Sequence, residues 1–340
     1  MRAAAILLLL LGTLLPGCGN GAPDTGPPSA GTSSRPSPSR PTVVSLVPAV
    51  TEMLFAIGAG PQVAGVSSFD AWPPEVARLP KLGALLDPDV ERILRIRPGV
   101  VVLHVSQEDV RAQLERAGIR TFAYAIGGLD NVTKTMREVG AMVGRADEAE
   151  AAAAGLERQL ADIARRSAGR KRPRTLLVFG REPGALRAID ASGGTGFLHD
   201  ILTLAGGQNI LASERREAIR VSTETILAAA PEVILDLHYG RTLDDAGVRR
   251  EREVWNLLRA VPAVRDGRVH VLAGDHFVVP GPRVVQAAAD MAAAIESVTF
   301  PALPSTPRTT PAGSLPAALP RSRPGRPRSR AARAPTREAP

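Results

Sequence analysis

The chain has one cysteine, Cys18, so no disulfide can form within it. Aromatic residues make up only 3% of its 340 positions, which argues against a binding site walled mainly by rings. Neither the GxSxG nucleophile elbow nor the GxGxxG fingerprint occurs, and the P-loop and HExxH are also missing. The common hydrolase, dinucleotide, nucleotide and zinc-peptidase frames are therefore excluded. The glycine-rich ASGGTG beginning at Ala191 could approach an anion through its backbone, but without a GxGxxG frame it reads as a loop beside a cleft. In FLHDIL, His199 and Asp200 have no accompanying nucleophile, so His199 reads as structural, as does His270 inside a strand.

What is present begins with the ends. Residues 1–18 pair an early basic residue, Arg2, with the apolar AAILLLLLGTLLPG, too short for a permanent bilayer span. The run ends in Leu-Pro-Gly-Cys, which resembles a bacterial lipobox and implies lipidation of Cys18 after cleavage. Residues 19–41 are rich in Gly, Pro and Ser and should form a disordered tether. Residues 301–340 are a second disordered segment, Pro- and Arg-rich. They hold eight arginines against Glu338 and so carry +7 of the formal +8 charge. The body is thus close to neutral, and a nucleic-acid function does not follow from the high pI.

Between these ends, short β-branched runs alternate with amphipathic stretches. TVVSLV, VAGVSS, VVVLHV and TFAYAI read as strands, with VTEMLFAIGAG and EDVRAQLERAG as helices. The alternation predicts parallel-sheet α/β architecture. Residues 42–128 form a first lobe on this reading. Residues 129–169 lack a strand signal and are dense in helix formers, so they form a linking helical region. Residues 170–300 form a second lobe, with strands in RTLLVFG, EVILDLH and RVHVLAG and helices in TGFLHDILTLAG, ETILAAA, EVWNLLRAV and PRVVQAAADMAAAIESV.

One phrase occurs in both lobes. VERILRIRPGVVVLH (90–104) and TETILAAAPEVILDLH (223–238) share a glutamate, an Ile-Leu pair, a proline, a β-branched run and a closing histidine. With SLVPAVTEMLFAIGAG, VAGVSSFDAWPPEV and LAGDHFVVPGPRVVQAA, these stretches resemble the periplasmic cobalamin and ferric-siderophore binding proteins of ABC importers, and most closely the cobalamin-binding members. The resemblance covers the whole body. It implies a class III periplasmic binding protein: two α/β lobes joined by one long helix, a ligand cleft between them, and no catalysis. It further implies a lipid-anchored, periplasmic monomer that delivers a corrinoid to ABC importer permease subunits. A ferric siderophore, haem or a metal ion is the alternative cargo in the same fold. A hydrolytic or metal-dependent enzyme and a membrane-tethered adaptor are the competing classes.

Residue by residue, the resemblance assigns permease docking to Glu91 and Glu224. Both also suit a helix first turn, where the dipole favours acidic groups, and Ser222 fits an N-cap. Phe69 falls at a ligand-facing position, with Trp72 close by, and Asp275 falls at the pocket. Asp70 and Arg283 are placed near it too, Arg283 alternatively pairing with a backbone or carboxylate group of its own lobe. Leu85, Ala185 and Ala218 stand where larger rings would be expected. His104, His238 and His276 follow strand ends, where sites form in open α/β sheets. They either hold a metal directly or serve as hydrogen-bonded polar residues.

Overall fold

A computed structural model describes residues 40–297. The leader with Cys18, all but the last residues of the tether, and the tail 301–340 lie outside them. The chain divides into two compact units. The first holds the described residues through Asp162 together with His276–Val285; the second holds Ile163–Asp275 and the chain from Gln286 onward.

In the first unit, β1 (Val43–Ser45) is buried along its whole length, as expected of a strand covered on both faces. α1 (Pro48–Ala56) starts on a proline, whose missing N–H costs nothing in a first turn. β2 (Val63–Val66), α2 (Val90–Ile96), β3 (Val100–His104), α3 (Glu108–Arg116) and β4 (Arg120–Tyr124) follow. The sheet order is β2-β1-β3-β4, all parallel. β4 is an edge strand, and it opens on the exposed Arg120. Val44, Val101 and Leu103 of the sheet pack with Ile93 of α2 and Leu114 of α3 in one apolar cluster.

The linking region expected over 129–169 is two helices, α4 (Leu129–Met142) and α5 (Ala146–Ser167), the latter 22 residues long. Gly144, at φ 70°, makes the turn between them in a conformation that suits glycine. Arg137 of α4 donates to both Glu150 and Glu157 of α5.

The second unit contains β5 (Arg174–Gly180), β6 (Ile189–Ser192), α6 (Phe197–Leu204), β7 (Gln208–Asn209), β8 (Ala218–Val221), α7 (Thr223–Ala229) and β9 (Val233–His238). α8 (Asp245–Val254), α9 (Pro262–Arg265), β10 (Val269–Ala273) and α10 (Val284–Glu296) complete the described chain. β10, β9 and β5 form a parallel core, extended by the antiparallel strands β6 and β8. The helix expected across EVWNLLRAV is instead the end of α8 followed by a 3-10 turn, Trp255–Leu258, which buries Trp255 in the core.

One boundary differs from the sequence reading. The second lobe was expected to run unbroken over 170–300, yet His276–Val285 belongs to the first unit. A long-range ion pair ties that segment down: Arg283 donates from Nε and Nη2 to the carboxylate of Glu52 on α1. Arg283 thus pairs outside the lobe to which the sequence assigned it. Gly281 permits the close approach, since a Cβ there would lie 2.9 Å from Glu52 Oε2.

Candidate ligand-binding site

The repeated phrase folds as a repeated module. Asp89 caps α2 by accepting from the Arg92 N–H at 2.9 Å, and Ser222 caps α7 by accepting from the Thr225 N–H at 3.2 Å. Each helix is seven residues long and ends in a left-handed residue, Arg97 at φ 53° and Ala230 at φ 45°. Pro98 and Pro231 follow, which disfavours continued α geometry in the residue before them. The buried strands β3 and β9 then end on His104 and His238. Glu91 and Glu224 stand exposed in the two first turns. Hydrogen bonds from Ser222 and from its own backbone N–H lower the Glu224 carboxyl below its ordinary pKa.

The two histidines meet different surroundings. His104 lines an apolar pocket of about 210 Å³ in the first unit. The pocket lies where all four parallel strands end: Leu46 and Val47 follow β1, Ser67 and Phe69 follow β2, His104 ends β3, and Tyr124 and Ile126 mark the exit of β4. That is where open α/β sheets place ligands. Leu85 closes one side and the returning segment Val278–Pro280 another. Phe69 is 73% exposed and Leu85 44%, so two large apolar groups of the lining reach solvent. Phe69, Leu85 and His104, three of the residues singled out in the sequence, therefore line one pocket. Tyr124, Ile126 and Val278–Pro280 were not foreseen. Tyr124 and Ile126 read only as the end of the strand TFAYAI, and Val278–Pro280 as a loop after the last strand.

Polar contacts hold this wall in shape. Asp70 accepts from the Ser67 N–H at 2.8 Å and from Ser67 Oγ at 2.6 Å, while Lys81 Nζ donates to the Asp70 carbonyl. The tight turn from 67 to 70 carries Phe69 at its outward corner. Burial raises the Asp70 pKa against the opposing effect of its Ser67 hydrogen bonds. Gln107, also buried, accepts from the His104 N–H through Oε1 and donates from Nε2 to the Leu85 carbonyl. One side chain thus fixes two pocket residues.

Trp72 lies elsewhere in the same unit. Its ring is 5.2 Å from the Arg283 guanidinium and borders a second pocket of about 260 Å³ with Glu52, Phe55 and Glu75. His276 is buried and its ring packs at 4.1 Å on Phe277.

In the second unit, His238 is buried in a charged network. Arg241 donates to its Nδ1 at 3.0 Å, and its Nε2 lies 3.3 Å from Asp236 Oδ2 without hydrogen-bond geometry. Arg181, with its side chain 1% exposed, donates to Asp236 Oδ2 from Nε at 3.0 Å and from Nη2 at 2.7 Å, and to Glu251 at 2.9 Å. Trp255 Nε1 donates to the same Asp236 oxygen, and Arg241 to the other Glu251 oxygen. Burial alone would raise Glu251, but hydrogen bonds from Arg241, the Gly184 N–H and Arg181 lower it to about 2. Both His238 nitrogens are thus turned to this network. Asp275 accepts from the Gly240 N–H at 2.8 Å, joining the exits of β9 and β10. Ala185 offers its carbonyl to Arg181, and Ala218 is exposed on β8. Among the described residues, no group of three or more His, Cys, Asp or Glu side chains is arranged to hold a metal ion.

The ASGGTG loop has a packing role. A Cβ on Gly193 would lie 2.1 Å from the Arg216 carbonyl, and one on Gly194 would lie 2.1 Å from that of Ala212. These glycines let two backbone segments touch. Asn209 donates to the carbonyls of Ser192 and Gly193 and contacts His199 Nδ1, which accounts for His199 structurally.

The profile of the periplasmic binding protein family matches residues 43–275. The chain belongs to this family. As a periplasmic binding protein it is an extracytoplasmic solute binder and not an enzyme. A vitamin B12-binding protein of Salmonella choleraesuis is 29% identical over 261 residues, covering 76% of this chain and 91% of the relative. The apo structure of the periplasmic heme-binding protein RhuT from Roseiflexus is 28% identical, with a TM-score of 0.64 over 76% of this chain and 98% of its own. The vitamin B12 binding protein BtuF of Vibrio cholerae has the same fold, with a TM-score of 0.65 over 76% of this chain and 98% of its own at 20% identity. Among the described residues, no helix is long and apolar enough to cross a membrane.

Proposed function

We propose that this binding protein captures a corrinoid and delivers it to an ABC importer. The observation that carries the reading is the apolar pocket at the four strand ends, flanked by Phe69 and Leu85. At about 210 Å³ it is smaller than the roughly 300–1,000 Å³ that encloses a drug-sized molecule, so it suits one wall against a larger flat ligand. The vitamin B12-binding relative supports a corrinoid. Haem is the second reading, favoured by the similarly distant heme-binding relative. Both are metal-bearing macrocycles with a broad apolar face, and aliphatic walls can bury either. Titration calorimetry with cyanocobalamin and hemin separates them. The corrinoid reading expects cyanocobalamin to bind more tightly than about 10 μM, roughly −7 kcal/mol. Weaker binding, with hemin bound tightly, replaces it with haem.

Delivery rests on Glu91 and Glu224. They are equivalent exposed carboxylates on equivalent helices, one in each unit, and suit basic sites on two permease subunits. Contacts of this kind set orientation and association rate more than affinity. Asp89 and Ser222 cap the two helices, and both glutamates stand exposed in the first turns. A lipid on Cys18 would hold the receptor at the membrane surface as a monomer.

A further inference from the structure

We propose that His104 recognises its ligand as a hydrogen-bond donor through Nε2–H, facing an oxygen acceptor on the ligand's periphery, and is not a ligand to its metal. The inference rests on reading the first unit's pocket as the binding site, and it assigns the chemistry of one wall.

The second contact of the ring decides its tautomer. His104 Nδ1 accepts from the backbone N–H of Ser106 at 3.2 Å and lies 2.8 Å from Ser106 Oγ. A backbone N–H can only donate, so the Nδ1 it points at must carry the lone pair. Ser106 Oγ then also donates, and both contacts are satisfied at once. A neutral imidazole with Nδ1 bare carries its proton on Nε2. Metal-binding histidines show the opposite arrangement: the distal nitrogen donates its N–H to a carboxylate or carbonyl, leaving the other lone pair for the metal. Here the nitrogen remote from Ser106 is a donor, and it has no protein partner among the described residues.

The ring is also fixed in place. Gln107 accepts from the His104 N–H, and the Gln107 N–H returns to the His104 carbonyl at 2.9 Å. This closed turn holds the histidine at the end of β3, on a wall that is otherwise largely aliphatic. A donor in largely apolar surroundings gives orientation and selectivity, because a ligand without a matching acceptor leaves it unpaired. The fitting chemical class is a macrocycle whose rim bears amide carbonyls or carboxylates.

Two measurements test this. Nitrogen-15 NMR of the imidazole in the ligand-free full chain should show His104 protonated at Nε2 and bare at Nδ1; the reverse tautomer overturns the proposal. Cyanocobalamin, whose cobalt has both axial positions filled, should bind His104→Ala about threefold to tenfold more weakly than wild type. His104→Gln, which restores an N–H donor of similar reach, should recover most of that loss. Equal losses in the two variants overturn the donor role. So does a change in the visible spectrum of bound hemin when His104 becomes Ala, since that reports loss of an iron ligand. If neither probe binds, the pocket reading fails, and the tautomer still decides how the histidine is poised.

Discussion

Arg181 should be among the most costly side chains to remove from the second unit. Its guanidinium is 1% exposed and faces Asp236, equally buried, and Glu251, 9% exposed at the side chain. Arg181→Met preserves most of the volume and removes the charge. Glu251 keeps Arg241 and the Gly184 N–H. Asp236 keeps the Trp255 indole N–H, while its Oδ1 already lacks a hydrogen-bond partner. An ionised carboxylate would then sit in the core with one oxygen served. Breaking a buried pair from one side costs about 3–5 kcal/mol, and the donors left to Glu251 place the expectation near the lower end.

Urea unfolding followed by Trp255 fluorescence reads this locally, in a Trp72→Phe background that leaves Trp255 as the sole tryptophan. With a slope of about 2 kcal/mol/M, the midpoint should fall by roughly 1.5–2 M. The double variant Arg181→Met/Asp236→Asn supplies the control. Removing the stranded charge should return part of the loss, so the pair should be less destabilising than the sum of its singles. A loss under about 1 kcal/mol for Arg181→Met, or strict additivity in the double variant, refutes the view of these groups as a coupled, desolvated network.

Other consequences are simpler. Glu251 is lowered from 4.5 to about 2, so its stabilisation is fully present above pH 4.5 and lost as pH falls toward 2, at most about 3 kcal/mol; acid titration of Trp255 fluorescence should show the loss, and Glu251→Gln should remove that pH dependence. Ala230→Gly relieves a left-handed Cβ and should stabilise by about 0.5–1 kcal/mol in thermal unfolding, the strain outweighing the added chain entropy. Gly194→Ala drives a Cβ against the Ala212 carbonyl and should destabilise by about 1–3 kcal/mol in the same assay. Replacing Glu91 and Glu224 together by Gln should abolish uptake in cells while leaving the ligand dissociation constant unchanged; retained uptake removes the docking role.

Much of this was legible because periodic elements declare themselves. The buried runs VVS, VVVLH and VILDLH could only be covered strands, and the repeated phrase proved to be one module from N-cap to strand end. The antiparallel strands β6 and β8 gave little signal, because IDAS and AIRV are short and interrupted by charge. What the repeat did not reveal is how differently its two histidines are used. The difference lies two residues before each one: Val102 precedes His104, but Asp236 precedes His238. A carboxylate within an otherwise apolar strand must find buried cations and donors. Asp236 does so by drawing in Arg181 and Trp255, and with Arg241 the resulting network encloses the neighbouring histidine. β3 has no such charge, and His104 is held by hydrogen bonds to Gln107 and Ser106 of its own turn, where it lines the pocket. Asp236 in the place of Val102 brings buried charge beside His238, whereas His104 lines an apolar pocket.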